Sequence, residues 1–356
     1  MANRDGLIDH YLDALEIEFS WQTNRSKVAT IFVGGGTPSR LSAEQFRRLF
    51  DLVADSFDVH SDAEITIECN PDDINNDFYQ SLRDVGANRI SLGVQSFDDA
   101  KLKFLERDHS RQQIENAIEW AGKYFDNFSI DLIFATQGEQ LENWLSDLRW
   151  AISHRPNHIS TYELTIEKGT QFWNSQLHGS LVVPDEDRRA ELYEATIETL
   201  TGAGFDHYEI SSFARSGSRC RHNLTYWNGS EYLAFGASAA RYVNSIRETN
   251  HRSASTYMKR VHSGESPVFE SDSIAPRNRI LERVAFGLRQ LDGVCLKQIW
   301  RDVEMLDTGF KSNFKALLER LDSHKLVTIN EKLCRLTRRG LLVYDSIASE
   351  ILSLSL

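Results

Sequence analysis

Runs of β-branched and aliphatic residues punctuate the first two-thirds of the chain at Thr30–Val33, Glu64–Glu68, Arg89–Leu92, Ser129–Ile133 and His158–Tyr162. They recur about every 25–40 residues, with helical patterns in the gaps, and that alternation predicts βα units around a parallel sheet. Phe46, Leu49, Phe50, Val53 and Phe57 follow one another at helical spacing behind a Ser42-Ala-Glu-Gln45 capping box. Ile114, Ala117, Ile118 and Ala121 form a second stripe, and Leu141, Leu145, Leu148 and Ile152 a third. The first helix, from Gly6 to Phe19, carries Leu7, Tyr11, Leu15 and Phe19 on one face and should pack on a sheet. No strand precedes it, although a βα barrel should begin with one. The pattern therefore reads as starting one element late.

The alternation ends near Ser263–Pro276, a stretch rich in Ser, Glu and Pro that reads as a loop. Beyond it the order is helix (Arg279–Leu291), short helix (Leu296–Trp300), helix (Phe310–Leu321), two short strands (Leu326–Ile329 and Leu333–Leu336) and a last helix from Arg338. That order resembles a winged helix. Residues 276–356 hold 14 basic and 10 acidic side chains. A surplus of four is thin for gripping a phosphate backbone, so a packing domain is the preferred reading over DNA contact.

The 356 residues suit about two domains, or one large α/β barrel with an appendage. An apolar fraction of 41% supports a real core and excludes global disorder. The net charge of −12 argues against nucleic acid as a partner. No apolar run approaches a membrane span, and no basic stretch leads into an apolar one as in a secretory signal. Cys69, Cys220, Cys295 and Cys334 stand far apart, without a CxxC or CxxxC pair. Their spacing argues against a disulfide scaffold and against a zinc or iron–sulfur site built from these cysteines, and implies reduced thiols in the cytoplasm.

Polar residues cluster at predicted strand ends, where barrel enzymes bind ligands. Gly34-Gly-Gly-Thr-Pro38 follows the first strand, and three glycines there let backbone groups approach a ligand closely, although a tight turn also explains them. Glu68 ends the second strand, Gln95 lies just past the third, and Asp131 sits inside the fourth. A buried acid in a β-branched run needs a partner. Arg107 is either a clamp for a carboxylate or an exposed arginine. In Cys220-Arg-His-Asn-Leu-Thr-Tyr-Trp227, His222, Tyr226 and Trp227 are spaced either to flank a flat aromatic ligand, with imidazole as an axial donor to iron, or simply to pack.

Four blocks together resemble the HemN/HemW branch of radical SAM proteins: Ile31-Phe-Val-Gly-Gly-Gly-Thr-Pro-Ser39, Glu64-Ile-Thr-Ile-Glu-Cys-Asn-Pro71, Asn88-Arg-Ile-Ser-Leu-Gly-Val-Gln-Ser-Phe97 and Tyr208-Glu-Ile-Ser-Ser-Phe213. The branch holds oxygen-independent coproporphyrinogen III oxidases and related heme chaperones. His222-Asn223-Leu-Thr-Tyr226-Trp227 matches the HNxxYW motif of the chaperones, which is associated with heme. The resemblance implies a partial TIM-like barrel missing its first strand over residues 1–265 and a small helical, winged-helix-like domain over 276–356. It implies that Gly35, Gly36 and Thr37 hold the methionine end of S-adenosylmethionine, with Glu68, Gln95, Arg107 and Asp131 completing the pocket. Heme would contact His222, Asn223, Tyr226 and Trp227. The implied role is heme delivery in the cytoplasm to acceptor proteins, some of them membrane-associated, with a reductant protein as a further partner. The alternative is porphyrinogen decarboxylation.

The chain departs from the branch in places. The CxxxCxxC loop that holds a [4Fe–4S] cluster is absent, and Met1 stands about where members have just passed the third cysteine. Either the recorded start lies too far downstream or the cluster chemistry was lost. The retained pocket residues favour the first account, and a chain of this length is expected to perform no radical chemistry. A first strand left without its neighbour would expose an unpaired edge prone to aggregation. Where members read Gly-Leu-Pro-Gly, the chain has Ala135-Thr-Gln-Gly138. Lys168 replaces a common Pro, and Gly236-Ala-Ser-Ala-Ala240 replaces Gly-Ala-Gly-Ala-His.

Overall fold

A computed structural model describes residues 2–306, 308–330 and 332–354. Helix α1 (Ala2–Ser20) comes first, followed by β1 (Lys27–Val33), α2 (Ala43–Ser56), β2 (Asp58–Cys69), α3 (Asn76–Asp84), β3 (Arg89–Gln95), α4 (Asp99–Phe104), α5 (Arg111–Tyr124), β4 (Phe128–Phe134), α6 (Leu141–Ser153) and β5 (His158–Glu163). Helices α7 (Gln171–Leu177) and α8 (Glu186–Gly202) lead to the short strands β6 (Asp206–Glu209) and β7 (Ser212–Ala214). Next come α9 (Arg221–Trp227), β8 (Ala240–Val243), β9 (Ile246–Asn250), α10 (Ala254–His262) and β10 (Val268–Ser273). The remainder is α11 (Pro276–Gly287), β11 (Val294–Cys295), α12 (Leu296–Glu304), α13 (Thr308–Ser323), β12 (Val327–Ile329), β13 (Leu333–Leu336), α14 (Arg338–Leu342) and α15 (Tyr344–Ser353).

Seven strands form a curled, parallel-rich half-barrel in the order β1-β2-β3-β4-β5-β7-β6. The pairs β2–β3, β3–β4 and β4–β5 are parallel, whereas β7 runs antiparallel to both β5 and β6. Ile90, Leu92, Val94, Ile130, Leu132 and Ile159 are wholly buried, as expected for parallel strands covered on both faces. Helices supply the cover. Ile114, Ala117, Ile118 and Ala121 of α5 are buried behind a capping box formed by Ser110 and Gln113.

Two compact units emerge. The one that includes Thr30–Ala43 and Glu64–Arg219 holds the polar strand ends. The other comprises Met1–Ala29, Glu44–Ala63 and Cys220–Leu356. Within it, α1 packs on α10, with the Tyr11 and Tyr257 ring centroids 5.4 Å apart. Phe19 stacks on Phe235 at 4.3 Å. Strands β8, β9 and β10 form an antiparallel sheet, as do β11, β13 and β12.

Several expectations need correction. The partner of α1 is a helix, α10, rather than a sheet, and Leu7 is 56% exposed rather than part of the buried face. The buried line of α6 is Trp144, Asp147, Leu148 and Ala151, so Leu141, Leu145 and Ile152 fall beside it. Trp144 sets that rotation by donating Nε1–H to Thr196 at 2.7 Å. Phe50 is half-buried. The stretch 263–276 contains a strand, β10, which registers with β9.

Candidate functional site

Gly35 has φ +85, in the left-handed region that glycine tolerates, and its N–H donates to Glu68 Oε2 at 3.1 Å. A side chain at Gly34 would meet Phe32 at 2.6 Å and the Glu68 carboxyl at 2.8 Å. Gly36 has open space where a Cβ would point, and Thr37 is half-buried. Glu68 sits opposite Ser91 in the β2–β3 register, and Ser91 opposite Ser129 in β3–β4. Burial pushes the Glu68 carboxyl up, the Gly35 N–H opposes that, and Asp131 adds a further upward push. Two acids therefore share this end of the sheet, an arrangement that favours a cationic guest.

Asp131 is half-buried and its partners are hydroxyls rather than a cation. Ser91 donates to Oδ2 at 2.7 Å and Ser129 to Oδ1 at 3.0 Å. Gln95 holds φ +66 and lays its amide over Gly93, where a Cβ would lie 2.9 Å from Nε2. A non-glycine residue in that region is strained, and such strain gathers at functional sites. Its turn is buttressed from below. Asp147 accepts from the Phe97 N–H at 2.8 Å, Ser96 at 2.7 Å and the Lys101 ammonium at 3.0 Å. Lys101 also reaches Glu139 at 2.5 Å, and Glu139 in turn accepts from the Thr136 N–H at 3.1 Å. Arg107 lies on the exposed loop after α4; burial, and to a lesser degree the Arg107 charge, hold the His109 pKa below its ordinary value.

The aromatic motif belongs to the other unit. Arg221 anchors α9 by donating to the Asp62 carbonyl at 2.7 Å. His222 and Tyr226 share a face one helical turn apart, with Nε2 2.8 Å from the Tyr226 hydroxyl. Burial, then Tyr232 and Cys220, push the Tyr226 phenol up to about 12. Asn223, half-buried, precedes Trp227 by four residues on a neighbouring face. The Trp227 indole N–H is buried with no hydrogen-bond partner among the described residues.

Tyr226 and Trp227 border a cavity of about 650 Å³, which Tyr232, Tyr242, Arg279 and Met305 also line. Arg247 forms a bidentate pair with Glu282, and Arg283 pairs with Asp302 at 2.9 Å. Arg279 donates only to the Ser245 hydroxyl, at 2.8 Å, and among the described residues has no carboxylate partner. His222 is not on the cavity wall. The structure therefore joins Gly35, Glu68 and Asp131 at one site and His222 with Tyr226 at another.

The radical SAM superfamily pattern matches residues 9–151. The heme chaperone HemW of Lactococcus lactis subsp. lactis (strain IL1403) is 35% identical over 92% of this chain and 83% of that protein. The HemW of Bacillus subtilis (strain 168) is 33% identical over 96% of this chain and 90% of its own length. The chain belongs to the HemW family of radical SAM proteins. Among solved structures, the Escherichia coli coproporphyrinogen III oxidase HemN superposes with a TM-score of 0.82 over 97% of this chain and 83% of that one. At 23% identity, that likeness establishes the shared fold.

Membership of the HemW family implies S-adenosylmethionine and a [4Fe–4S] cluster. The glycine cradle and paired acids fit a positively charged amino-acid ligand. The cluster does not fit the residues present. Among those described, no three His, Cys, Asp or Glu side chains converge as metal ligands, and Cys69, Cys220 and Cys334 are buried apart. Also among the described residues, no helix is long and apolar enough to cross a membrane.

The motifs pointed to Gly35, Glu68, Gln95 and Asp131 but not to Ser91, Ser129, Asp147 or Lys101, whose roles depend on contacts between strands and loops. Ser129 carried one faint signal. It lies two residues before Asp131, and alternate strand positions share a face. Arg279 carried none, because an arginine on a helix reads as solvated.

Proposed function

We propose that the chain is a heme-binding chaperone that also binds S-adenosylmethionine and hands heme to acceptor proteins in the cytoplasm. The observation that carries this reading is the HNLTYW helix bordering a 650 Å³ cavity with aromatic walls and an arginine that has no acidic partner among the described residues. Such a cavity suits a flat aromatic ligand bearing carboxylates. Tyr226 and Trp227 supply faces, and Arg279 supplies a fork of donors for a carboxylate. His222 stands behind the wall, where its Nε2 meets the Tyr226 hydroxyl, and it reaches a ligand in the cavity once that contact is released. At the strand ends, the Gly34–Gly36 backbone takes the carboxylate and amino groups of S-adenosylmethionine, Glu68 and Asp131 face its positive charge, and Gln95, Thr37 and Arg107 complete the contacts. Acceptors at a membrane and a reductant protein fit this role as partners.

Heme titration followed in the Soret region tests the reading. The unaltered chain is expected to bind one heme, and His222→Ala and Trp227→Ala to weaken it by about tenfold or more. If Nε2 ligates iron, the Tyr226 hydrogen bond must break first, so Tyr226→Phe should tighten binding by about fivefold. An unchanged Soret band in His222→Ala would remove His222 from the site. Turnover of coproporphyrinogen III, in place of stable heme binding, would replace this reading with the oxidase.

A further inference from the structure

Behind Asp131 runs a line of buried groups that the ligand reading does not use. His158 on β5 is 1% exposed, with Nδ1 2.8 Å from the Ser129 hydroxyl and Nε2 2.8 Å from the Tyr208 hydroxyl. Ser129 has a single O–H, and it is directed to Asp131 Oδ1 at 3.0 Å. Its oxygen must then accept from His158, which fixes the proton on Nδ1. Burial, reinforced by the positive charge of Arg89, holds the imidazole neutral. Nε2 is therefore an acceptor and takes the proton of Tyr208, which is itself 1% exposed. Every donor in the line points the same way, from Tyr208 through His158 and Ser129 to the carboxylate. Ser91 closes the other oxygen from β3 at 2.7 Å.

We infer that Tyr208, His158 and Ser129 are positioning residues that hold the Asp131 side chain aimed at a cationic or hydroxyl-bearing group of the ligand at the strand ends. The inference rests on the S-adenosylmethionine reading of that site. The chain of residues draws on β6, β5 and β4, and so ties the Asp131 carboxylate to the antiparallel margin of the sheet. A hydrogen bond to a charged group is stronger than a neutral one, and an apolar replacement at any link leaves a buried donor or acceptor unmatched. None of the three need touch the ligand.

The test uses the full chain and two readouts. Calorimetric titration with S-adenosylmethionine is expected to show about tenfold weaker binding for Ser129→Ala and about threefold for Tyr208→Phe, with thermal midpoints recorded for each. In an Asp131→Asn background, Ser129→Ala is expected to add nothing, because its effect runs through Asp131. Equal losses in both backgrounds, or unaltered affinity in both single variants, would overturn the inference. The second readout is the 15N spectrum of His158, expected to show the Nδ1–H tautomer. A proton on Nε2, or a charged ring near neutrality, would overturn the chain even if Ser129→Ala failed to fold. Absence of binding by the unaltered chain would instead sink the ligand reading, while the tautomer would still decide the direction of the chain.

Discussion

Ala135 and Ser238 hold a backbone that glycine favours, with φ +61 and +63, and the resemblance to the branch implies glycine at both places. A side chain in that region crowds the following carbonyl and costs about 1 kcal/mol or more. Ala135→Gly and Ser238→Gly should therefore each stabilise the protein by about 0.5–1 kcal/mol, the gain trimmed by the extra freedom of glycine when unfolded. Urea midpoints measure this, and a lower midpoint for either variant would contradict it. Glu68 is strained electrostatically instead. Its carboxyl is raised by burial and by Asp131, so its folded pKa exceeds the unfolded one. The contribution of such a group is complete below the unfolded pKa and is lost as pH rises through the folded value. Glu68→Gln should then raise the melting midpoint at pH 7, where the wild-type carboxylate bears this penalty. The advantage should fade as pH falls below the ordinary carboxylate range. The same variant should bind a cationic ligand about tenfold more weakly, since a charged acceptor becomes neutral. A gain that persisted at low pH would assign the effect to packing.

Between elements, buried charge does the joining. Glu18 of α1 is 2% exposed and accepts from the Gly236 N–H at 2.8 Å, Asn250 Nδ2 at 2.8 Å and the Tyr257 hydroxyl at 2.7 Å. It ties α1 to α10, β9 and the loop whose Gly236 could not carry a side chain, because the Tyr11 hydroxyl lies 2.5 Å from where a Cβ would sit. Glu18→Ala leaves three buried donors unmatched and should cost about 3 kcal/mol or more, read as an early unfolding step of this unit. An unchanged urea curve would refute that. This joint was illegible in the sequence, because a lone Glu in an amphipathic helix reads as solvated, and its partners lie more than two hundred residues along the chain. Strands β3 and β4 were legible for the opposite reason, since burial on both faces demands largely apolar runs. Strands β6 to β10 have three to six residues each and alternate charge with aromatics, so nothing in their local pattern separates them from loop. At the candidate site, glycines and acids announced themselves through their motifs. The serines, histidine and tyrosine behind Asp131 come from four strands, and no local pattern could gather them.

For the molecule as a whole, the placement of cysteine decides the iron chemistry open to a chain of these 356 residues. Three thiolates must converge to hold a site-differentiated cluster, and each must lose its proton. Cys69 lies in β2, where burial and then Glu68 and Asp73 push its thiol far above its ordinary range. Cys334 in β13 is pushed up to about 12, chiefly by burial, and Cys220 is buried beside α9. Cys295 alone is exposed. The first belongs to one compact unit and the other three to the other. Anaerobic reconstitution with iron and sulfide should therefore leave less than about one iron per chain after desalting, without the charge-transfer absorption of a [4Fe–4S] centre. Heme titration of the same sample should match that of the untreated protein, because no cysteine lines the cavity that the HNLTYW helix borders. Four irons per chain would overturn the first expectation. Heme binding that appeared only after reconstitution would overturn the second, and would show that the aromatic cavity depends on cluster chemistry.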